Sequence, residues 1–528
     1  MLLIAVILLF VTAAVMVVLR LLRRPIFWHW ITALLGGLTA WGLAIVVYFR
    51  LPYTVSLLTW QLPYDFSAML TLRVDILAWP YAVAIAVLPP VIVLTALARR
   101  SALYWRPWAG CLLITAIGLG AVCAGNAFTL LLAWASLDLI EILVLFAQGS
   151  QINLARNAAL AFVGRACGNG LVMLAILLAG AQALDFAAIP AASVPYLLLA
   201  AVLRLGILPF AAPFYFDEVA IRRGLGTALR LVPAASGLML LTRTAVTGMP
   251  QAGGFLPGFP LQTVLLVLVV VTALIGSLAW AIARDELSGR LVWILSLGSL
   301  ATAAAVLQLP EAALAWGLAC LFSGGMILLH SVHGRGLWLF PVSSALAFSG
   351  LPFTPGWSTA ALYRAPAGWS VFFWLVHGLL LFGFVRHALL QEGAFDRSQR
   401  WVGLLYMGGL GLLLGSQVLV GYCLPQPRFG VAWWAGAVSV AVAALLGSLV
   451  LWAMRRGWRF SQTWVLTLQR LFSLDWLYRL MALGYRLVER MMGLVSQLLE
   501  GEGGLLWVFI LVGLLVTLYL NLGGDLDR

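Results

Sequence analysis

Gly350-Leu-Pro352-Phe-Thr-Pro355-Gly356 sits inside an apolar run, 337–363, long enough to cross a bilayer. Pro352 and Pro355 lack an N–H and clash with the preceding helical turn, so the run cannot be one continuous helix. Irregular backbone survives at membrane depth only where other protein or a water-filled cavity covers it. The stretch therefore predicts a broken helix enclosed in a bundle. Pro209 and Pro213 interrupt the run that starts at 194 in the same way. Broken helices five spans apart suggest two related halves, a transporter pattern; two ordinary proline kinks are the alternative.

Further apolar runs flank these two: 1–19, 26–49, 76–98, 108–124, 127–147, 157–180, 225–246, 261–283, 291–308, 312–332, 367–389, 401–423, 431–454 and 504–522. Together they make about 16 spans and predict an all-α polytopic membrane protein. The 528 residues are 63% hydrophobic and 9% charged, with a mean hydropathy of +1.05. A soluble domain carries about 25% charged residues, which excludes that class. Five cysteines lie in or beside apolar segments without CxxC spacing, as packing residues do. No nucleotide loop, metal-ligand cluster or haem ligand pair stands out, so no cofactor is expected.

All 31 basic residues are arginine, and the net charge is +13. The arginines lie in short loops between apolar runs, so the lipid bilayer, not nucleic acid, explains the charge. Loops carrying Arg20/Arg23/Arg24, Arg99/Arg100/Arg106, Arg156, Arg222/Arg223, Arg284/Arg290, Arg386/Arg397/Arg400 and Arg455/Arg456/Arg459 alternate with Arg-poor ones. The positive-inside rule makes these loops cytoplasmic and leaves both termini outside a cell inner (plasma) membrane. Residues 1–19 lack a positive n-region, so they read as a retained first helix rather than a signal peptide. Segment 460–500 mixes Arg470, Arg479, Arg486 and Arg490 with Leu, Trp, Met and Tyr, the composition of an interfacial helix.

Several charges fall inside the spans. Asp138 and Glu141 are i and i+3 on one helical face, and Arg165, Arg204 and Arg230 lie in the next three spans. Each costs roughly 2.5–3.5 kcal/mol at bilayer depth, so such residues face other helices and pair. A cluster of Asp138 and Glu141 with Arg165 or Arg204 is expected, either as an ion path or as a static pair that fixes packing. Asp185, Asp217, Glu218, Asp285 and Glu286 read as solvated loop charges. His330 and His333 close the eleventh span and titrate in the physiological range if exposed; His29, His377 and His387 read as interfacial.

The order of several stretches resembles the antiporter-like membrane subunits of respiratory complex I, Mrp-type cation/proton antiporters and membrane-bound hydrogenases. Leu72-Arg-Val-Asp75-Ile-Leu is similar to the opening of that family's third span, and Leu130-Leu-Leu-Ala-Trp134 to the approach to its Trp-Glu pair. Arg204-Leu-Gly-Ile-Leu-Pro209-Phe resembles its Lys-Ser-Ala-Gln-Phe-Pro-Phe, and Gly237-Leu-Met-Leu-Leu-Thr-Arg243 the end of its eighth span. Asp285–Ser296, the broken run through Trp357, and Phe472-Ser-Leu-Asp475 with the helix after it complete the series. The resemblance covers roughly residues 70–520. It implies two inverted five-helix repeats, 108–246 and 261–389, between N-terminal helices (1–107) and C-terminal ones (401–454), a lateral amphipathic helix (460–500) and a final span (504–528).

The departures fall on the chemistry. The position of the family's Glu after Trp134 is Ala135, with Asp138 one turn on; the seventh-span Lys is Arg204. The eighth-span Lys/His position falls at Leu229 beside Arg230, and the eleventh-span positions fall in Ala312–Ser323, which holds neither His nor Lys. The twelfth-span Lys/Glu falls near Ala360, with Arg364 one turn later. Arg stays protonated where a buried Lys can release its proton. The resemblance implies a proton- or cation-translocating subunit with a lysine-free relay along Asp138, Glu141, Arg165, Arg204, Arg230, His330, His333 and Arg364. It holds no catalytic centre of its own and would join other membrane subunits, as in an NADH:quinone oxidoreductase-like translocase. The alternatives are a non-conducting structural subunit, or the membrane partner of an ion-driven bicarbonate-uptake complex.

Overall fold

The computed structural model describes residues 1–61, 67–98, 104–148, 152–179, 184–207, 223–248, 261–332, 336–389, 400–424 and 434–455, with residues 483, 486, 490, 512 and 513. The chain divides into two compact units, Met1–Arg459 and Phe460–Arg528, and the elements below belong to the first. Pro209, Pro213, His333 and nearly all of the expected lateral helix and final span lie outside the described residues.

Helices α1 (Leu2–Leu21) and α2 (Ile26–Val46) pack on each other at the periphery. Both keep only a third of their most apolar window buried, the rest being an apolar surface suited to lipid. A β-hairpin then pairs β1 (Tyr53–Gln61) antiparallel with β2 (Ser67–Val74). The expected third span is two short helices, α3 (Ala78–Ala86) and α4 (Leu88–Ala96), because Pro89 and Pro90 start α4. Every residue of both is buried. Helices α2, α5, α9, α12 and α15 surround them, so protein rather than lipid covers this apolar pair.

The chain continues through α5 (Trp105–Val122), α6 (Ala127–Gln148), α7 (Ile152–Leu178), α8 (Val194–Arg204) and α9 (Arg223–Thr247). Helix α8 is shorter than the run read from 194 to 210. It stops at Arg204, and Gly206 takes φ +70 just beyond. Next come α10 (Leu261–Ile282), α11 (Arg290–Val306) and α12 (Pro310–Leu329). The run around Pro352 is broken as the prolines require: α13 (Leu339–Phe348), an irregular stretch, then a 3₁₀ helix, Trp357–Arg364. Helices α14 (Ala367–Leu389), α15 (Arg400–Cys423) and α16 (Ala435–Arg455) close the unit.

Among the described residues, 10 helices are long and apolar enough to cross a membrane. The chain is a helical, multi-pass membrane protein. The hairpin is the element absent from the sequence reading. Its strands are rich in Thr, Val, Leu, Tyr and Trp, a strand composition masked by the neighbouring apolar runs. It is tied to the α5–α6 turn by Arg73 N–H to Cys123 O (2.7 Å) and Gly125 N–H to Thr71 O (2.8 Å).

Candidate functional site

Helix α6 presents Trp134, Asp138 and Glu141 on one face, at i, i+4 and i+7. All three point into the bundle, with Asp138 1% and Glu141 3% exposed. Charges this deep need partners, and the next three helices supply them. Helix α7 brings Arg165, which binds Glu141 with both terminal nitrogens: Nη1 donates to Oε2, and Nη2 donates to Oε1 at 2.8 Å. Such a two-pronged pairing matches the planar guanidinium to the carboxylate. One turn on, Asn169 Nδ2 donates to Asp138 Oδ2 at 3.3 Å.

Helix α8 ends on Arg204, whose Nη1 donates to Asp138 Oδ1 at 2.5 Å. Its guanidinium lies over the Trp134 ring, 5.0 Å from the centroid, where the ring face attracts a cation. Trp134 is held in turn by its indole N–H on Ser236 Oγ (2.8 Å), from α9. Helix α9 also brings Arg230, whose Nη1 donates to Glu141 Oε1 at 2.9 Å. Arg165 Nη1 stands 3.6 Å from Asp138 Oδ1 while bound to Glu141, so the two carboxylates share a guanidinium.

A small cavity of about 50 Å³ borders this cluster, with Glu141, Arg165, Arg204 and Arg230 on its wall. Pro233, inside α9, lines it too and leaves the Leu229 carbonyl without its helical N–H partner. Arg204 Nε and Nη2 are buried and have no protein acceptor among the described residues. The cavity has room for a water molecule beside Glu141 and the three guanidinium groups.

The other expected site residues fall elsewhere. His330 caps the end of α12, and its carbonyl accepts from Arg223 Nη1 at 3.0 Å. It does not bond the acidic pair. Arg364 ends the 3₁₀ helix and is exposed, because its neighbour Tyr363 takes the inward-facing position. Pro352 and Pro355 occupy the helix break.

Three features run against the sequence expectations or escape them. Glu286 is buried, not solvated: Arg223 Nη2 pairs with it at 2.5 Å. Asp75 accepts from the N–H groups of Leu77 (3.2 Å) and Ala78 (2.9 Å) and from Arg243 Nη1 (2.9 Å). The openings of the third span and the close of the eighth, both family-like stretches, are thereby joined. His377 is wholly buried, not interfacial. Its place near the middle of α14 was the available signal, since mid-span means bilayer depth. His29 and His387 are buried as well, each against a backbone carbonyl, Pro25 O and Trp280 O.

No family model and no curated protein matches the sequence. Solved structures do. The chain superposes on a subunit of an archaeal membrane-bound sulfane sulfur reductase complex with TM-score 0.66 and 15% identity, over 98% of this chain and 99% of that one. A chain of the Mrp complex from Dietzia sp. DQ12-45-1b gives 0.68 and 16%, over 98% of this chain and 62% of that one. A chain of respiratory complex I from Thermus thermophilus gives 0.62 and 20%, over 84% and 100%. At these identities the likeness concerns the fold, which is that of the antiporter-like membrane subunits the sequence motifs resemble.

Proposed function

We propose that this chain is a proton- or cation-translocating subunit of a multi-subunit membrane complex, in which arginines serve as fixed counter-charges and carboxylates carry the proton. The observation that carries this reading is the buried Asp138/Glu141 pair, gripped by Arg165, Arg204 and Arg230 beside a water-sized cavity. Arginine does not give up its proton here, so the acids are the groups that change state. Arg165 sits between them. Its swing from Glu141 toward Asp138 would leave Glu141 to Arg230 alone and let it take a proton from cavity water, and the return would expel it. The two-repeat organisation, the cytoplasmic Arg-rich loops and the docking of sibling membrane subunits belong to the same proposal.

A second reading, a non-conducting structural subunit, is favoured by one fact: both acids already have guanidinium partners. Asp138→Asn separates the two. In inverted membrane vesicles carrying the intact complex, the variant loses driven acidification while co-purifying with the same subunits. Unchanged acidification sinks the conducting reading.

A further inference from the structure

Arg204 spends only part of its guanidinium on protein. Nη1 donates to Asp138 Oδ1, while Nε and Nη2 are buried and have no protein acceptor among the described residues. The residue is 5% exposed, so bulk water does not serve these two nitrogens. Buried donors left unmatched are costly, and more so on a charged group. A guanidinium is planar, and its Nε–H and one Nη2–H run side by side along one edge. Such an edge is a fork that fits two oxygens carried on one carbon or nitrogen. Arg165 grips Glu141 with a fork of the same kind, made from its two terminal nitrogens.

The open edge has space beside it. Arg204 stands on the wall of the cavity and Asp138 does not, so Nη1 turns away from the space and leaves the Nε/Nη2 edge to it. The Trp134 ring covers one face of the guanidinium, which favours a partner arriving in the guanidinium plane. Arg165 and Arg230 bring two further positive charges to the wall. Glu141 is the carboxylate there, and it already accepts two N–H groups from Arg165 and one from Arg230. Ser288, also on the wall, gives its hydroxyl proton to the Asp285 carbonyl at 3.0 Å. Leu205, Leu229, Leu291 and Leu295 supply apolar surface, which strengthens any charge contact made in the cavity. One water needs about 10–15 Å³ of such space, so a cavity of about 50 Å³ accommodates about three atoms of that size.

We infer that the Nε/Nη2 edge of Arg204 is a binding site for a small planar monovalent oxyanion, of the size and shape of formate or nitrate. Two of its oxygens accept from Nε and Nη2 in the guanidinium plane, and the charges of Arg165 and Arg230 hold it from the wall. A spherical anion such as chloride satisfies the charge but not the fork. The inference concerns binding alone, goes beyond the conducting reading, and does not depend on whether the chain moves protons.

The test uses the full chain, purified in mild detergent with the membrane subunits that accompany it. Equilibrium dialysis against radiolabelled formate, in a gluconate buffer at pH 7, gives the affinity, and nitrate and chloride serve as competitors. We expect formate to bind, with nitrate displacing it at least tenfold better than chloride. Arg204→Lys keeps a positive charge beside Asp138 but has no fork, and should bind formate at least tenfold more weakly while co-purifying with the same subunits. Glu141→Gln removes a negative charge from the wall and should bind it at least threefold more tightly. A general loosening of the fold would weaken both variants, so weaker binding in both overturns the site. Absence of formate binding at about 100 mM shows a cavity that takes water only and also overturns it, as does an affinity in Arg204→Lys within twofold of wild type. Proton flux plays no part in the assay, so each of these failures leaves the conducting reading standing.

Discussion

Glu141→Gln is the most telling single change for the charged cluster. Glutamine keeps the volume and one acceptor oxygen, but removes the charge that holds Arg165 through two hydrogen bonds and Arg230 through one. Arg165 is 6% exposed and cannot shed its proton. Breaking one side of a buried pair costs about 3–5 kcal/mol, mostly the stranded charge. A domain of ordinary size loses about 2–4 °C of melting temperature per kcal/mol, and the shift shrinks as the chain lengthens, so a fall of roughly 3–10 °C is expected here. Adding Arg165→Gln removes the stranded charge and should recover at least about 2 kcal/mol of the loss, a coupling typical of residues in one network. The molecule carries its own reporter. Cys111, Cys123 and Cys320 are buried, while Cys167 is exposed and Cys423 half-buried, so a thiol-reactive fluorophore in detergent labels the three buried sites on unfolding. If Glu141→Gln melts within a degree of wild type, or if the double variant falls by the sum of the singles, the cluster is not held together as described.

Arg204→Lys restores a group that can deprotonate beside Asp138. It should add a second titration to the rate–pH profile, and an unchanged profile would refute the fixed-charge role of Arg204. Asp75→Asn keeps the helix cap but strands Arg243, which is 3% exposed; a loss of about 1–3 kcal/mol is expected in the same melting assay. Gly350→Ala forces φ +71 on an alanine, at about 1–2 kcal/mol, and sets its Cβ 2.9 Å from Thr359 Oγ1. It should lower stability and disturb the ring of His377, and a variant that melts and conducts as wild type would contradict the tight fit of the break.

Much of this was legible in the residues. Pro352 and Pro355 announced the helix break because a missing N–H and a ring clash are local facts. Apolar runs located the helices because bilayer thickness sets their length. Asp138 and Glu141 were legible as a pair because i and i+3 share a face wherever the helix lies. What stayed hidden was long-range. Glu286 looked like a loop charge, and only the packing of α9 brings Arg223 to it. Arg364 was expected on the ion path, but the 3₁₀ helix turns Tyr363 inward and Arg364 outward, and a one-residue rotation of that kind leaves no periodic trace. The β-hairpin was missed because its strands alternate weakly and stand between longer apolar runs.

The buried pair α3 and α4 bears on how the chain is made. Nothing but protein touches these helices in the finished bundle, yet one wall of their enclosure is α15, where Gly409 lies against Leu94 and Thr95. That wall is encoded roughly 300 residues downstream, and at about 5–20 residues per second the ribosome delivers it tens of seconds later. During that interval these two fully buried helices must wait in lipid or beside an insertase. The pair α3 and α4 is thus among the earliest parts synthesised and among the later ones to be sealed, and a chain truncated before residue 400 leaves it without its α15 wall.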